Sequence, residues 1–489
     1  MTVGPGTTGP LLVVRAPGGR EPERRYALDL VLGEWLGLPY VLESGTDPRV
    51  SIRLAGDPSG RRVLLPDPLL ATPDDAWLTG GSLPALPLAR VERPGGGMRP
   101  EAGRGVGDLP VLFGEPAPGG VAWRETRDGP DLDVDVFGGV FFLVSRMEEI
   151  VRTERDEHGR FPVTASVAHA EGFVERPLAD EYVDLLFAAL RTAWPGLERR
   201  PTEFRLRLTH DIDRPFSALG RSLPRVALSF GADVVRRRDG GLAAARLRAA
   251  ADARSGRIDR DPLATFGFLM TTSERHDLRS TFYFLAGNEP GDTDFRYSLK
   301  DGPFAPILRE IRGRGHEIGL HASYASHGST GRTRAEATAL VDACRAAGVD
   351  QPSWGVRQHY LRFATPTTWR DHEAAGLAHD SSVGFAERVG FRSGTCREHP
   401  VFDLLERRTL ALRERPLVVM DGSLTGPMAL GSDEADRRTR AIVDVCRVHR
   451  GDAVVLVHND TVAGGRAQAR YRELVEDLVR PAPTSPADR

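Results

Sequence analysis

The chain has 489 residues, is 40% apolar and 27% charged, and carries a formal net charge of -3. That length supplies two or three domains with a buried core, and the composition is that of a folded globular protein. The near balance of charge excludes the strongly basic footprint of a nucleic-acid binder, and no run of about 18 apolar residues marks a membrane span.

The first residues lack a charged start followed by an apolar stretch, so no secretory leader is expected and the expected location is the cytoplasm. Residues 1–200 are expected to form an N-terminal α+β accessory domain. They are rich in Gly and Pro, as at Pro94-Gly95-Gly96-Gly97 and Pro116-Ala117-Pro118-Gly119-Gly120. Helical spacing covers 26–36, and a β-like run covers 63–65. An apolar run over 135–143 leads into a short helix over 145–152. Tyr182, Leu185, Leu186, Ala189 and Leu190 mark a closing helix over 178–194. No catalytic constellation falls here, and His158 reads as a solvated loop histidine.

The second domain is expected over 201–480. After a first strand near 204–208, an arginine-rich helical segment at about 214–261 reads as an insertion with a solvated basic face. Strands and helices then alternate: helix 262–275, strand 280–285, helix 304–314, strand 317–320, helix 333–347 and strand 353–356. Helix 366–375, strand 417–420, helix 433–449 and strand 453–457 complete the series. Thr365 is expected to cap the helix that Pro366 opens. Such alternation implies a mostly parallel sheet, and roughly six to eight strands suit an α/β barrel or a distorted one. Three cysteines are too few for a disulfide framework. Cys344 and Cys446 read as small core residues, and Cys396 as a loop thiol without a visible activating partner. The tail 481–489 is expected to be disordered.

The chemistry sits where the apolar runs stop. FRLRL runs into Thr209-His210-Asp211-Ile212-Asp213, and HEIGL into His321-Ala322-Ser323-Tyr324 with His327 behind. Gly355-Val356 leads into Arg357-Gln358-His359-Tyr360, PLVVM into Asp421-Gly422, and AVVLV into His458-Asn459-Asp460. Strand ends deliver such residues to one rim of a sheet, where α/β barrels build active sites. Side chains alternate along a strand, so Asp211 and Asp213 are expected on one side. Two ionised carboxylates so close repel unless a divalent cation or an arginine relieves them. Arg357 can pair with Asp211 and hold it ionised. Two imidazoles and a carboxylate make a site for Zn²⁺ or a similar ion, with a position open for water. The set fits a metal-assisted hydrolysis, with a carboxylate as base and a histidine as acid.

On these motifs the region from about 202 to 475 resembles the polysaccharide deacetylase (NodB-homology) superfamily, whose fold is a distorted β/α barrel. The Thr209–Asp213 segment stands where that family has Thr-x-Asp-Asp, which implies Asp211 as the base. Ile212 falls on the second acid, so Asp213 is expected to ligate in its place. Gly315-His316-Glu317-Ile318-Gly319-Leu320-His321 matches the approach to the first histidine ligand. The second histidine, four residues on, is Ala325 here. His327 is the expected third ligand, with His359 or water as the alternatives. Arg357-Gln358-His359-Tyr360 matches the family's Arg-x-Pro-Tyr motif, and His458 its acid histidine. The whole chain, residues 1–200 included, resembles an uncharacterised bacterial branch of the superfamily.

The resemblance implies removal of an acyl group, N-acetyl above all, from an amino sugar in a glycan or glycan precursor. Asp211, Arg357 and His458 are then catalytic. Asp213, His321 and His327 bind a divalent metal, Zn²⁺. Tyr360, His359 and Asp421 meet the substrate, the Tyr360 N–H facing the oxyanion. Two rivals remain. One is a small-molecule amide or imide hydrolase on the same fold. The other is a non-catalytic glycan-binding protein that lost the metal, for which Ala325 speaks.

Overall fold

The computed structural model describes residues 10–92, 108–114, 116, 120–217, 241, 244, 248, 260–287 and 297–480. The expected insertion at 214–261 lies largely outside these residues, and the tail 481–489 lies wholly outside them.

The N-terminal region is built on a six-stranded sheet with the order β2-β1-β3-β4-β8-β7. Its strands are β1 (Leu12–Pro17), β2 (Tyr40–Gly45), β3 (Val50–Leu54), β4 (Val63–Leu65), β7 (Trp123–Thr126) and β8 (Gly129–Leu132). A separate pair joins β5 (Ala89–Glu92) to β6 (Asp108–Val111). The apolar run expected ahead of a helix is itself a helix, Val136–Val144, buried along its whole length. Asp135 starts it by accepting from Gly138 N at 2.7 Å. Nine apolar residues in a row do not distinguish a buried helix from a strand; the cap decides. The helical stretch expected at 26–36 divides into an α-helix, Glu21–Leu28, and a π-helical stretch, Asp29–Leu36.

The C-terminal region is a nine-stranded sheet with the order β14-β15-β13-β12-β11-β10-β9-β17-β16. The strands are β9 (Arg205–Ile212), β10 (Ser280–Leu285), β11 (Glu317–Ala322), β12 (Gly355–Gln358), β13 (His379–Asp380), β14 (His399–Asp403), β15 (Arg408–Glu414), β16 (Leu417–Met420) and β17 (Asp452–Leu456). All neighbours pair in parallel except β14 with β15. Helices Phe266–Glu274, Phe304–Gly313, Thr330–Ala346, Thr367–Ala374 and Ser432–Val448 alternate with the strands. The fold is mixed α/β. The sheet is curled: β9 and β12 are three strands apart, roughly 14 Å if flat, yet Arg357 on β12 touches Asp211 on β9 at 2.9 Å. The curl stops short of a closed barrel. Between β13 and β16 an irregular chain bridges, through Leu417 N to Val383 O at 3.1 Å and Gly390 N to Val418 O at 2.9 Å.

Two expectations need correction. The β14–β15 hairpin was not foreseen, because Pro400 and the charges of Arg408, Arg413 and Glu414 mask its alternation. Thr365 does not cap the helix after it; its hydroxyl donates to Ser145 O at 3.3 Å, in the N-terminal region.

That last bond is one of many. The N-terminal core takes in Phe385, Phe402 and Leu404 from the other region, with Phe402 packed against Tyr26 and Phe141 at 5.0 and 5.3 Å between ring centres. Glu149 lies between Arg146 and Arg392, each pair within 3 Å and all three side chains 1% exposed. Asp180 pairs with Arg397 at 2.6 Å, and Asp184 with His449 at 2.9 Å. The core and buried charges of the N-terminal region thus include residues of the sheet region.

Candidate active site

Arg357 is the hub. It is fully buried, and its guanidinium donates to Thr209 Oγ1 and Asp211 Oδ1 at 2.9 Å, to Ser381 Oγ at 2.9 Å and to Ser381 O at 3.0 Å. It lies over the Tyr283 ring at 4.6 Å, a cation–π contact in a desolvated place. Gly319 leaves room for that ring: a Cβ there would stand 2.5 Å from it. Asp211 is thus a buried carboxylate with one oxygen occupied by a permanent cation.

Next to Asp211, the ends of β9, β11 and β12 bring three donors together. Asp213, His321 and His359 each offer a ligand atom, all within 4.8 Å of one another, and they form the group of this kind found among the described residues. His321 Nε2 stands 3.1 Å from Asp213 Oδ1 and 3.6 Å from Asp211 Oδ2. His359 Nε2 is 3.6 Å from Asp213 Oδ2. His321 Nδ1 must donate to Arg357 O at 2.9 Å, which in the neutral tautomer leaves a lone pair on Nε2. That lone pair faces a carboxylate oxygen. Both atoms are buried, and neither has a hydrogen-bond partner. A bound cation resolves this arrangement, and the backbone contact on Nδ1 is the support a ligating imidazole normally has. Burial pushes the Asp213 carboxyl up, but the two imidazoles in their charged, donating form outweigh it and hold the group well below the usual carboxylate range. The residues present fit a divalent metal with Asp/His/His ligation and an open position.

The expected third ligand, His327, is not in this group. Its electrostatic neighbours are Arg362, Asp371 and His372. His359, expected to meet substrate and named as an alternative ligand, is the histidine grouped with Asp213 and His321. Parity explains why: Arg357 and His359 are two apart at a strand end and project to one side.

Opposite this cluster stands His458, after β17. Asp421, expected to meet substrate, is occupied with holding it. Asp421 Oδ1 accepts from His458 Nδ1 at 2.6 Å and Gly422 N at 2.7 Å, and Oδ2 from His458 N at 3.0 Å and Thr461 Oγ1 at 2.7 Å. Strands β16 and β17 are neighbours with Met420 level with Leu456, so the residues just beyond their ends meet. Burial pushes the His458 imidazole down, but Asp421, with Asp213 and Asp211 beyond, raises it well above the ordinary histidine value. His458 Nε2 faces Asp213 Oδ2 at 3.8 Å. The arrangement sets an imidazole across a donor cluster from a buried carboxylate.

Tyr360 is 38% exposed at the rim. It and Leu361 both adopt the left-handed backbone region, with φ of 61° and 52°, at roughly 1–2 kcal/mol each for a side-chain-bearing residue. Cys396 is fully buried, and a hydrogen bond with Cys446 together with burial pushes its thiol well up, so it is no nucleophile.

Residues 12–195 match the model of a family of unknown function, DUF7033. No curated protein matches the chain. Among solved structures, the chain is similar to a Mycobacterium smegmatis protein assigned as a polysaccharide deacetylase, with 17% identity, TM-score 0.36, and 57% of this chain and 85% of that one covered. It is similar to a Pseudomonas aeruginosa PAO1 protein of the same assignment, with 12% identity, TM-score 0.35, and 64% and 90% covered. It is also similar to a CE4 family pseudoenzyme from Bacillus anthracis, with 10% identity, TM-score 0.30, and 57% and 62% covered. No helix among the described residues is long and apolar enough to cross a membrane.

Proposed function

We propose that this chain is a metal-dependent hydrolase that removes an acyl group, N-acetyl in the first instance, from an amino sugar in a glycan or glycan precursor. The observation that carries the reading is the donor group Asp213, His321 and His359, set between an arginine-held carboxylate and a carboxylate-held imidazole. The sugar substrate rests on the motif resemblance alone.

Asp213, His321 and His359 would hold the ion. When bound, Zn²⁺ or a similar ion polarises the acyl carbonyl and acidifies water. Asp211 takes the proton of the attacking water as its oxygen adds to the acyl carbon. Arg357 holds that carboxylate in place through the 2.9 Å contact on Oδ1. The Tyr360 backbone N–H serves the developing oxyanion. The carbon–nitrogen bond then breaks, and His458 gives its proton to the departing amine. Acetate and a free amino sugar result. Asp421 keeps His458 charged and aimed.

Ala325 argues for a chain that has lost its metal; against it stands His359, an imidazole at a neighbouring strand end grouped with Asp213 and His321. The test is release of acetate from N-acetylated hexosamine oligomers by purified protein, with a cyclic amide as the second substrate. Acetate release that ceases in Asp213→Ala and His321→Ala supports the reading. Hydrolysis of the cyclic amide alone moves the assignment to the small-molecule rival, and no turnover of either by metal-loaded protein removes the hydrolase reading.

A further inference from the structure

The N-terminal region reaches the rim of the site through one short loop. Asp156 organises it: Oδ1 accepts from His158 N and Arg160 N at 2.9 Å, and Oδ2 from Arg160 Nε at 2.7 Å. Arg160, so fixed, donates from Nη1 to the carbonyl of Tyr360 at 2.9 Å. The return bond comes from the other side, where Arg362 Nε donates to His158 O at 2.8 Å. Arg362 also lies 3.9 Å over the Tyr324 ring. The His158 ring packs on Tyr360 at 4.9 Å, and its Nδ1 meets Tyr324 Oη at 3.2 Å. The loop and the 359–362 turn therefore grip each other.

What they grip matters. Tyr360 and Leu361 hold a backbone conformation that side-chain-bearing residues rarely adopt, and such a turn persists only when its surroundings over-determine it. The residue just before is His359, whose ring packs on Tyr360 at 4.7 Å and on His321 at 4.8 Å. Holding Tyr360 O fixes the peptide between Tyr360 and Leu361, and with it the turn on which the His359 ring packs.

We propose that Arg160 is a positioning residue for His359, so that the N-terminal region completes the metal-binding site. The proposal rests on the reading of Asp213, His321 and His359 as ligands, and it gives the region matching the family of unknown function a role at the site. Ligand geometry within about half an ångström decides how well a metal is held, and loss of a supporting contact typically costs 10–100-fold in affinity.

The test is Co²⁺ titration of the metal-stripped full chain, followed by visible absorption. Arg160→Ala is expected to weaken Co²⁺ binding about tenfold and alter the absorption band, while the melting temperature of the metal-free protein stays near wild type. Arg160→Lys, which keeps a cation beside Asp156, is expected to fall between the two and covers the case in which the alanine variant does not fold. In a His359→Ala background, Arg160→Ala is expected to have no further effect, because the two act through one ligand. Wild-type affinity and spectrum in both Arg160 variants overturn the proposal and leave the metal reading intact. No Co²⁺ binding by the wild-type chain overturns that reading, and the proposal with it.

Discussion

Asp421 and His458 meet through a 2.6 Å hydrogen bond on Nδ1, while the Asp421 backbone neighbour and the His458 N–H close the same ring of contacts. The pair fixes which imidazole nitrogen faces the donor cluster. Asp421→Asn is expected to lower kcat for acetate release by about 100-fold or more, the scale of a positioned general acid. Co²⁺ affinity should stay within a factor of about two. Steady-state kinetics beside a metal titration checks this, and equal loss of both would mean that Asp421 supports the cluster rather than the acid.

His359 and His327 compete for one role, and the structure favours His359. His359→Ala is expected to weaken Zn²⁺ binding by more than about 100-fold, beyond the usual effect of a supporting contact. His327→Ala should leave binding unchanged. Competition with a chromophoric chelator measures both.

Glu149 neutralises two buried arginines from different parts of the chain, Arg146 and Arg392. Glu149→Gln takes from Arg392 its buried ion pair and leaves Arg146 with Glu148 alone, and the expected loss of stability is about 3–5 kcal/mol. Denaturant unfolding is the measurement. For the same reason the chain cut back to residue 201 is expected to aggregate: Phe385, Phe402 and Leu404 lose their core.

His379 gives the fold a pH dependence away from the site. Burial, and then the Arg415 guanidinium at 2.9 Å, lower its pKa to about 3. The unfolded chain binds a proton at this residue below about 6.5, and the folded chain does not until about 3. Stability from this group is therefore present above that range and is lost as pH falls through it. His379→Asn is expected to remove the component, so the stability difference between wild type and variant shifts against wild type as pH falls from about 6.5 to 4. Paired urea titrations at several pH values show it, and a pH-independent difference would refute it.

Much of the site was legible because each of its groups ends an apolar strand. Asp211, Asp213, His321, Arg357, His359 and His458 all announce themselves that way, and the parallel order of the sheet gathers them. Their roles were less legible. Nothing in the local pattern says that β16 lies beside β17, which is what turns Asp421 from a substrate contact into the partner of His458. Of the alternatives for a third ligand, His327, His359 or water, it is His359, at the next strand end, that lies with Asp213 and His321, and spacing along one segment does not show which. His158 read only as a solvated loop histidine and Arg160 carried no signal, since their meaning comes from contacts with Tyr360, 200 residues away along the chain from Arg160.

The central claim is that one cation held by Asp213, His321 and His359 makes this chain a hydrolase. Acetate release by chelator-stripped protein, before and after one equivalent of Zn²⁺, tests it most directly. The expected result is no turnover until the ion is returned, and none in Asp213→Ala at the same loading. Full turnover by the stripped chain, or by Asp213→Ala, would contradict it.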